Sequence, residues 1–281
     1  MASAFVEACL AELDALKPGN VHRFAPGHGM SVEDFVRSAE ASAEPIATKG
    51  ARVGVRVREA VNATLAAVGC NTNLGITLLC APLAAATEIA GAEMRGAVAA
   101  VLDELDRADA AEVFAAIVAA NPGGLGRAVR HDVLAPPTGT LREAMAEAAD
   151  RDRVARQYVT VYEDVFSLGL PALEAARQRG GHPRWSTLEV YLAFLAAIPD
   201  THIVRKFGTA AAEEIRREAT IWREAYMAAC DPEATFEGLL TWDASLKARG
   251  VNPGTTADLT VATLFASSLW PIRPNHLALA P

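Results

Sequence analysis

Few of the features that mark proteins binding nucleic acid, zinc or membranes occur in this 281-residue sequence. Lys and Arg number 26 against 34 Asp and Glu, and the formal charge of -8 disfavours nucleic acid or an anionic membrane surface as a partner. The four cysteines show neither CxxC nor zinc-finger spacing, so we interpret none of them as functional. No strand-like alternation of apolar and polar residues is sustained between turn signals, which leaves little room for a β-sheet.

The sequence also lacks the signals of secretion and membrane insertion. Its N-terminus has no basic segment followed by an apolar one, and it acquires acidic residues at once. The longest apolar run, residues 74–86, is too short to cross a bilayer and contains Pro82. We therefore expect a cytoplasmic protein with no membrane partner.

Helical periodicity runs through nearly the whole chain, in which 51% of the residues are hydrophobic. Ser31 and Asp34 have the spacing of a capping box ahead of one helical run, and Gly69 ends the run over residues 53–68. We predict an all-α protein, a single compact domain of roughly ten helices over residues 1–281. Further helical runs are predicted at residues 97–108, 112–120, 154–168, 188–198, 210–229, 232–248 and 256–269.

Four polar turns interrupt this apolar chain, and each lies beside a predicted helix end. They read KPGNVHR from Lys17, CNTNLG from Cys70, PDTHIVRKFG from Pro199 and VNPGTTAD from Val251. Amides and charges of this kind between core segments are rare without a function, so we expect the turns to form one composite site. The predicted cleft is lined by Lys17, His22, Asn71, Asp200, Arg205 and Asp258.

Together with GHGMSVEDFVRSA at residues 27–39 and LGLPAL at residues 168–173, these turns resemble the motifs of the triphosphoribosyl-dephospho-CoA synthase family in order and spacing. The family counterparts read approximately PKPGLVD, GAHxDM, GVNTHKG, GFP, DTNxxRxG and PGGxADLLA. The resemblance extends from about Glu7 to Leu269. It implies an all-helical enzyme that joins ATP to 3'-dephospho-CoA with release of adenine, with a divalent cation, Mg2+, as cofactor.

The sequence departs from these motifs in several places. Asn73 and Leu74 stand where the family has HK. His202 replaces the asparagine of DTN, and Thr255 replaces a glycine of PGG. Two alternatives therefore stay open: a divergent member acting on another acceptor in tetrahydromethanopterin or methanofuran biosynthesis, and a nucleotide-binding relative without this catalysis. A metal-dependent hydrolase would use the same carboxylates with water as the acceptor.

Displacement of adenine from C1' of a ribose passes through an oxocarbenium-like state, which requires nearby anions, a proton carrier and cations for the phosphates. The expected partners are a nucleotide and a small-molecule acceptor, and the protein could form homo-oligomers. Candidate catalytic residues are His22, Asp200, His202 and Asp258, of which Asp200 and Asp258 are also candidate Mg2+ ligands. Candidate substrate-binding residues are Lys17, Gly19, Asn20, Arg23, His28, Asn71, Thr72, Asn73, Gly75, Thr201, Arg205, Asn252 and Gly254.

Some of these residues have a purely structural alternative. Asp200 would then cap the next helix, and Asp258 would form a capping box with Thr255. Asn71 and Asn73 would be turn formers in the left-handed region of backbone conformation.

Overall fold

The computed structural model describes residues 1–122 and 130–270, and in that part of the chain it contains fourteen α-helices and no named strand. The all-α prediction is confirmed, although the predicted count of roughly ten helices is low. The predicted domain bounds of 1–281 extend into residues 271–281, which lie outside the described residues. The helices are α1 (Ala2–Asp14), α2 (Val32–Ala47), α3 (Val53–Val68), α4 (Leu74–Ala86), α5 (Met94–Glu104), α6 (Arg107–Ala120), α7 (Leu141–Ala148), α8 (Arg153–Thr160), α9 (Leu170–Arg179), α10 (Pro183–Ala197), α11 (Thr201–Phe207), α12 (Thr209–Ala228), α13 (Phe236–Ala248) and α14 (Gly254–Leu269).

The local capping signals place the ends of α2 and α3 correctly. Ser31 forms the predicted capping box with Asp34, and Gly69 ends α3 with a φ of 74°. The prediction of one continuous helix over residues 97–108 is wrong. Helix α5 ends at Glu104, and Asp106 caps α6 by accepting the N–H groups of residues 108 and 109. One helix over residues 154–168 is also wrong, because the chain leaves helical conformation after α8 and continues as a π-helical turn at Val165–Gly169.

The core is built around α4 and α14. Nearly every residue of both helices is buried, and α14 packs against α1, α4 and α10. A second group of buried apolar side chains, among them Tyr191, Ile215 and Leu246, joins α10, α12 and α13. This packing brings the N-terminal ends of α4, α8, α11 and α14 to one cavity.

Within the described ranges, no single helix is long and apolar enough to cross a membrane. By length and composition alone, the bent pair formed by α10 and α11 would pass the same test.

Pro82 lies inside α4 and removes a hydrogen-bond donor from a fully buried helix. Because proline has no N–H, the carbonyl oxygen of Leu78 loses its usual partner four residues along the helix. The hydroxyl of Tyr158 donates to that oxygen at 2.7 Å, and the hydroxyl of Tyr162 donates to the carbonyl of Leu79 at 2.8 Å. Two side chains from the α8 region therefore complete the hydrogen bonding of α4.

We expect Tyr158→Phe to lower the free energy of unfolding by about 1–3 kcal/mol, the cost of a buried carbonyl without a donor. Urea unfolding monitored by circular dichroism measures it. The matched control is Tyr158→Phe in a Pro82→Ala background, where the backbone N–H restored at position 82 can bond Leu78 instead. An equal cost in both backgrounds would contradict this account.

The LGLPAL motif forms the π-helical turn and the start of α9, and its glycine serves packing. A Cβ at Gly169 would lie 2.7 Å from the ring of Phe194 and would overlap the hydroxyl of Thr263. No residue of the motif lines the cavity formed by the polar turns. The motif therefore lets the π-helical turn approach α10 and α14 closely, and it supports the core rather than the cavity.

Candidate active site

Each of the four polar turns contributes residues to a single cavity of about 890 Å³. Asn20, Asn71, His202 and Gly254 represent the four turns in its lining. This volume lies within the range of about 300–1,000 Å³ that is usual for small-molecule sites. The predicted convergence of the turns is confirmed, although not every residue predicted to line the cleft does so.

Two glycines allow the turns to touch each other at the cavity. A Cβ at Gly75 would overlap the carboxylate of Asp258, and a Cβ at Gly254 would overlap the imidazole of His202. Gly75 lies in the first turn of α4, whereas Asp258 lies one turn inside α14. The sequence predicts that these glycines bind substrate. The structure adds a steric role, because only glycine at the two positions leaves room for the side chains of Asp258 and His202.

Lys17 lies beneath the cavity rather than in its lining. Its side chain is fully buried, is ion-paired with Glu12 and donates to the amide oxygen of Asn20 at 3.2 Å. Glu12 and Asn20 themselves line the cavity. The prediction that Lys17 lines the cleft is wrong, because its ammonium group balances a buried carboxylate from α1.

His22 is directed away from the cavity, towards α13. Its Nε2 atom lies 3.3 Å from a carboxylate oxygen of Asp243 and 3.4 Å from the ammonium of Lys247. Asp243 also accepts the N–H of Gly19 at 2.8 Å, and a Cβ at Gly19 would come within 2.8 Å of Pro253. Burial lowers the pKa of His22. The prediction that His22 lines the cleft is wrong. Its contacts with Asp243 and Lys247 fix the first polar turn against α13.

Asp200 caps two helices at once. One carboxylate oxygen accepts the N–H groups of His202 at 2.8 Å and Ile203 at 3.1 Å, at the start of α11. The other accepts both the N–H and the hydroxyl of Thr256 at 2.8 Å, at the start of α14. A carboxylate has about four lone-pair positions, so these bonds leave none for a metal ion. Asp200 is 2% exposed and does not line the cavity, and its contacts support the structural alternative of a cap.

Asp258 is the carboxylate that faces the cavity without a hydrogen-bond or ion-pair partner among the described residues. The capping box with Thr255 is not formed, because α14 begins at Gly254 and the hydroxyl of Thr255 lies 3.0 Å from that of Thr201. Desolvation raises the pKa of the Asp258 carboxyl well above its usual range, and the neighbouring carboxylates of Asp200 and Glu12 raise it further. A cation at this position would relieve that unfavourable charge.

The donor set fits Mg2+ in part. Within residues 1–122 and 130–270, no cluster of three or more His, Cys, Asp or Glu side chains could hold a metal ion by itself. Mg2+ commonly takes one or two carboxylates and completes its shell with substrate phosphates and water. Asp258 can supply such a carboxylate, whereas Asp200 cannot.

Helix α11 contributes one charged and one neutral side chain to the cavity lining, Arg205 and His202. Arg205 lines the cavity and forms a 2.7 Å ion pair with Asp152, whose other oxygen caps α8. His202 also lines the cavity, and its ring has no hydrogen-bond partner in the described part of the chain. Burial, with smaller contributions from Arg205 and Lys206, lowers the pKa of His202 to about 4. Its imidazole is therefore neutral at physiological pH.

The helices α4 and α14 begin at the cavity with only part of the first turn capped by side chains. Neither Asn73 nor Pro253 caps its helix with a side-chain hydrogen bond. The first-turn N–H groups of Gly75 and Thr255 are thus available to an anion, which the partial positive charge of a helix N-terminus favours. Asn71 and Asn73 lack positive φ, so the left-handed alternative is wrong for both.

The remaining candidates fall into three groups. Asn20, Asn71, Thr72, Gly75, Arg205, Asn252 and Gly254 line the cavity. Lys17, Gly19, Asn73 and Thr201 lie in the wall behind it. Arg23 is exposed and pairs with Asp14, and His28 lies outside the lining with Nε2 at 2.7 Å from the carbonyl of Gly19.

One half of the cavity is lined by apolar side chains, and of these only Phe35 lies within one of the motifs. We call this half the apolar arm. Helices α3, α4, α6 and α7 form most of it, with side chains whose spacing looks like that of any core-facing helix. Its lining residues are Phe35, Leu65, Ile76, Leu78, Val113, Phe114, Ile117, Leu141, Ala144 and Met145.

Comparison with known proteins supplies a family for this arrangement. The model of a family described as ATP:dephospho-CoA triphosphoribosyl transferase matches residues 1–274. A solved structure, provisionally assigned as a triphosphoribosyl-dephospho-CoA synthase from Archaeoglobus fulgidus, is similar with a TM-score of 0.62 and 22% identity. The match covers 86% of this chain and 100% of that chain, and it shows a shared fold. No curated protein sequence matches significantly.

Proposed function

Because the chain belongs to the ATP:dephospho-CoA triphosphoribosyl transferase family, we propose that its cavity binds ATP and dephospho-CoA next to each other. The chain is a transferase that moves a triphosphoribosyl group from ATP to an acceptor such as 3'-dephospho-CoA and releases adenine. The comparisons do not favour a different acceptor or a non-catalytic relative. The observation that supports the proposed site is the unpartnered carboxylate of Asp258 beside two helix N-termini, each of which keeps a free N–H group in its first turn.

The bond changes define what the cavity must do. The bond between C1' of the ATP ribose and N9 of adenine breaks, and a hydroxyl oxygen of the acceptor bonds to C1'. The proton of that hydroxyl is balanced by the proton that adenine gains. Positive charge develops on the ribose ring during the exchange, so negative groups near C1' stabilise the transition state. Glu12, Asp152 and Asp258 place three carboxylates in the polar half of the cavity.

The triphosphate is held at the first turns of α4 and α14 and by Arg205. Free N–H groups at the two helix starts bind phosphate oxygens, and the guanidinium of Arg205 adds charge-assisted hydrogen bonds. Asp258 would hold Mg2+ against the same phosphates. Mg2+, when bound, neutralises phosphate charge that would otherwise face the carboxylates of the cavity.

His202 is suited to move the proton. Its neutral imidazole lines the cavity and is free to accept a hydrogen bond from the acceptor hydroxyl. Transfer of that proton through the imidazole to the departing adenine would balance the reaction. A cytoplasmic location and self-association stay predictions.

An adenine-release assay tests the proposed function. Purified protein is incubated with ATP, Mg2+ and dephospho-CoA, and the products are identified by mass spectrometry. Release of adenine that requires dephospho-CoA, with a product mass equal to both substrates minus adenine, supports the transfer. Adenine release without an acceptor would instead indicate a hydrolase, and no release would indicate a binding protein.

We expect Arg205→Ala to weaken ATP binding by at least about tenfold, or 1.4 kcal/mol, because a charge-assisted phosphate contact is lost. Isothermal titration of ATP measures it. The matched control is Lys206→Ala, since Lys206 is the next residue along α11, does not line the cavity and donates to the carbonyl of Gly250. Equal ATP affinity in the two variants would remove Arg205 from the proposed site.

A further inference from the structure

The apolar arm has no part in the steps described above. Its deepest side chains are shielded from solvent: Val113 and Leu141 are fully buried and Phe114 is 5% exposed, whereas Ile117 and Ala144 are partly exposed. None of the ten side chains of the arm is charged, although Glu147 of α7 also lines the cavity, where it is paired with Arg130. An uncharged, largely apolar group is therefore the chemistry that the arm would accept at low desolvation cost.

The two substrates differ in one group of this kind. Both contain adenine, ribose and phosphates, whereas only dephospho-CoA carries a pantetheine chain. That chain is uncharged and elongated, with a gem-dimethyl group, methylene groups and a terminal thiol, and its hydroxyl and two amides are spaced along it rather than grouped on one edge. An apolar arm continuous with the proposed nucleotide site suits such a chain, because burying its methyl and methylene groups removes apolar surface from water.

Adenine itself fits the polar half better. The purine concentrates several nitrogen atoms that need hydrogen-bond partners on one rigid ring, and the ten side chains of the arm offer none, whereas a flexible chain can direct its few polar groups towards polar neighbours. The amides of Asn71 and Asn252 line the polar half. Each uses its oxygen for a bond within the protein, to the N–H of Leu74 at 3.1 Å and to Asn20 at 2.8 Å, which leaves its NH2 group available.

We propose that the apolar arm binds the pantetheine chain of dephospho-CoA and thereby distinguishes the acceptor from ATP. This inference rests on the proposed function, since it assigns one part of the acceptor to the same cavity. Ile117 of α6 and Ala144 of α7 then determine acceptor specificity, and neither contacts the reacting atoms. Val118, the next residue after Ile117, is 44% exposed and does not line the cavity.

The test compares the affinities of dephospho-CoA and ADP, which lacks the pantetheine chain. By isothermal titration, the wild-type protein is expected to bind dephospho-CoA at least about tenfold more tightly than ADP. Ile117→Asn is expected to reduce that ratio to about two or less without changing ADP affinity. Val118→Asn, the matched control, is expected to keep the full ratio. Thermal unfolding of each variant confirms that it is folded.

A second variant protects the test against a folding defect in the first. Ala144→Leu fills the arm with a larger apolar side chain, so it should lower the affinity ratio as Ile117→Asn does. Unlike Ile117→Asn, it places no polar group in the arm. Equal affinity for dephospho-CoA and ADP in the unchanged protein would overturn the proposal. So would variants that weaken ADP and dephospho-CoA equally, because the arm would then hold adenine. If adenine is not released but the affinity ratio is as expected, the proposed reaction is refuted, and the assignment of the arm to the pantetheine chain stands.

Discussion

Asp258→Asn is expected to reduce kcat/KM for adenine release by about a thousandfold or more and, at the same time, to stabilise the fold. Under the proposed mechanism, activity falls because the variant loses the negative charge that would stabilise the ribose cation and hold Mg2+. Stability rises because the ionised carboxylate is unfavourable in the folded protein: desolvation, Asp200 and Glu12 raise its pKa. Adenine release and thermal unfolding at pH 7 measure the two effects, with a midpoint shift of roughly 2–4 °C per kcal/mol.

The pH dependence of stability provides an independent check on Asp258. A carboxyl group whose pKa is higher in the folded protein binds its proton more tightly there than in the unfolded chain. Its contribution to the free energy of unfolding therefore increases as the pH falls from the raised pKa towards the unfolded value of 3.8. Asp258→Asn lacks this increase. Asp14→Asn, at an exposed carboxylate, is the control and should retain it. An active Asp258→Asn protein, or one less stable at pH 7, would contradict the assignment.

Asp200→Ala is expected to lower the free energy of unfolding by about 3 kcal/mol or more. It removes the caps of both α11 and α14, each worth about 0.5–2 kcal/mol, and it leaves buried N–H groups without acceptors. Urea unfolding measures the loss. Asp106→Ala is the matched control because Asp106 caps a single helix, α6, and its other partner is the half-exposed Arg52, so we expect about 1 kcal/mol there. A variant of normal stability that is inactive would instead return Asp200 to a catalytic role.

The sequence predicted the helical class and several helix ends because those signals are local. A capping box at Ser31 and a left-handed Gly69 depend on neighbouring residues alone. The break after α8 depends on distant contacts: Val161 and Tyr162 have φ of 53° and 55°, and the hydroxyl of Tyr162 reaches the carbonyl of Leu79. No periodicity within residues 154–168 reveals such a contact, which is why the predicted helix there runs on.

The sequence also predicted the candidate site in part: it located the turns but did not separate the roles of their residues. The motifs identified the turns, and the structure brings all four to one cavity. Sequence alone did not separate Asp258, which faces that cavity, from Asp200, which bonds Thr256, since both are aspartates in polar turns. The apolar arm was missed for a different reason. A side chain such as Ile117 that lines a cavity has the same spacing as one that fills the core.

The contacts of α14 also determine when the cavity comes into existence. Gly75 lies against Asp258, Asp200 bonds Thr256, and Gly19 approaches Pro253, so three of the turns are completed by the last described helix. On the ribosome, the first two turns emerge long before residue 254. A nascent chain therefore has no Asp258 and no completed cavity until synthesis has reached α14 and the helix has docked.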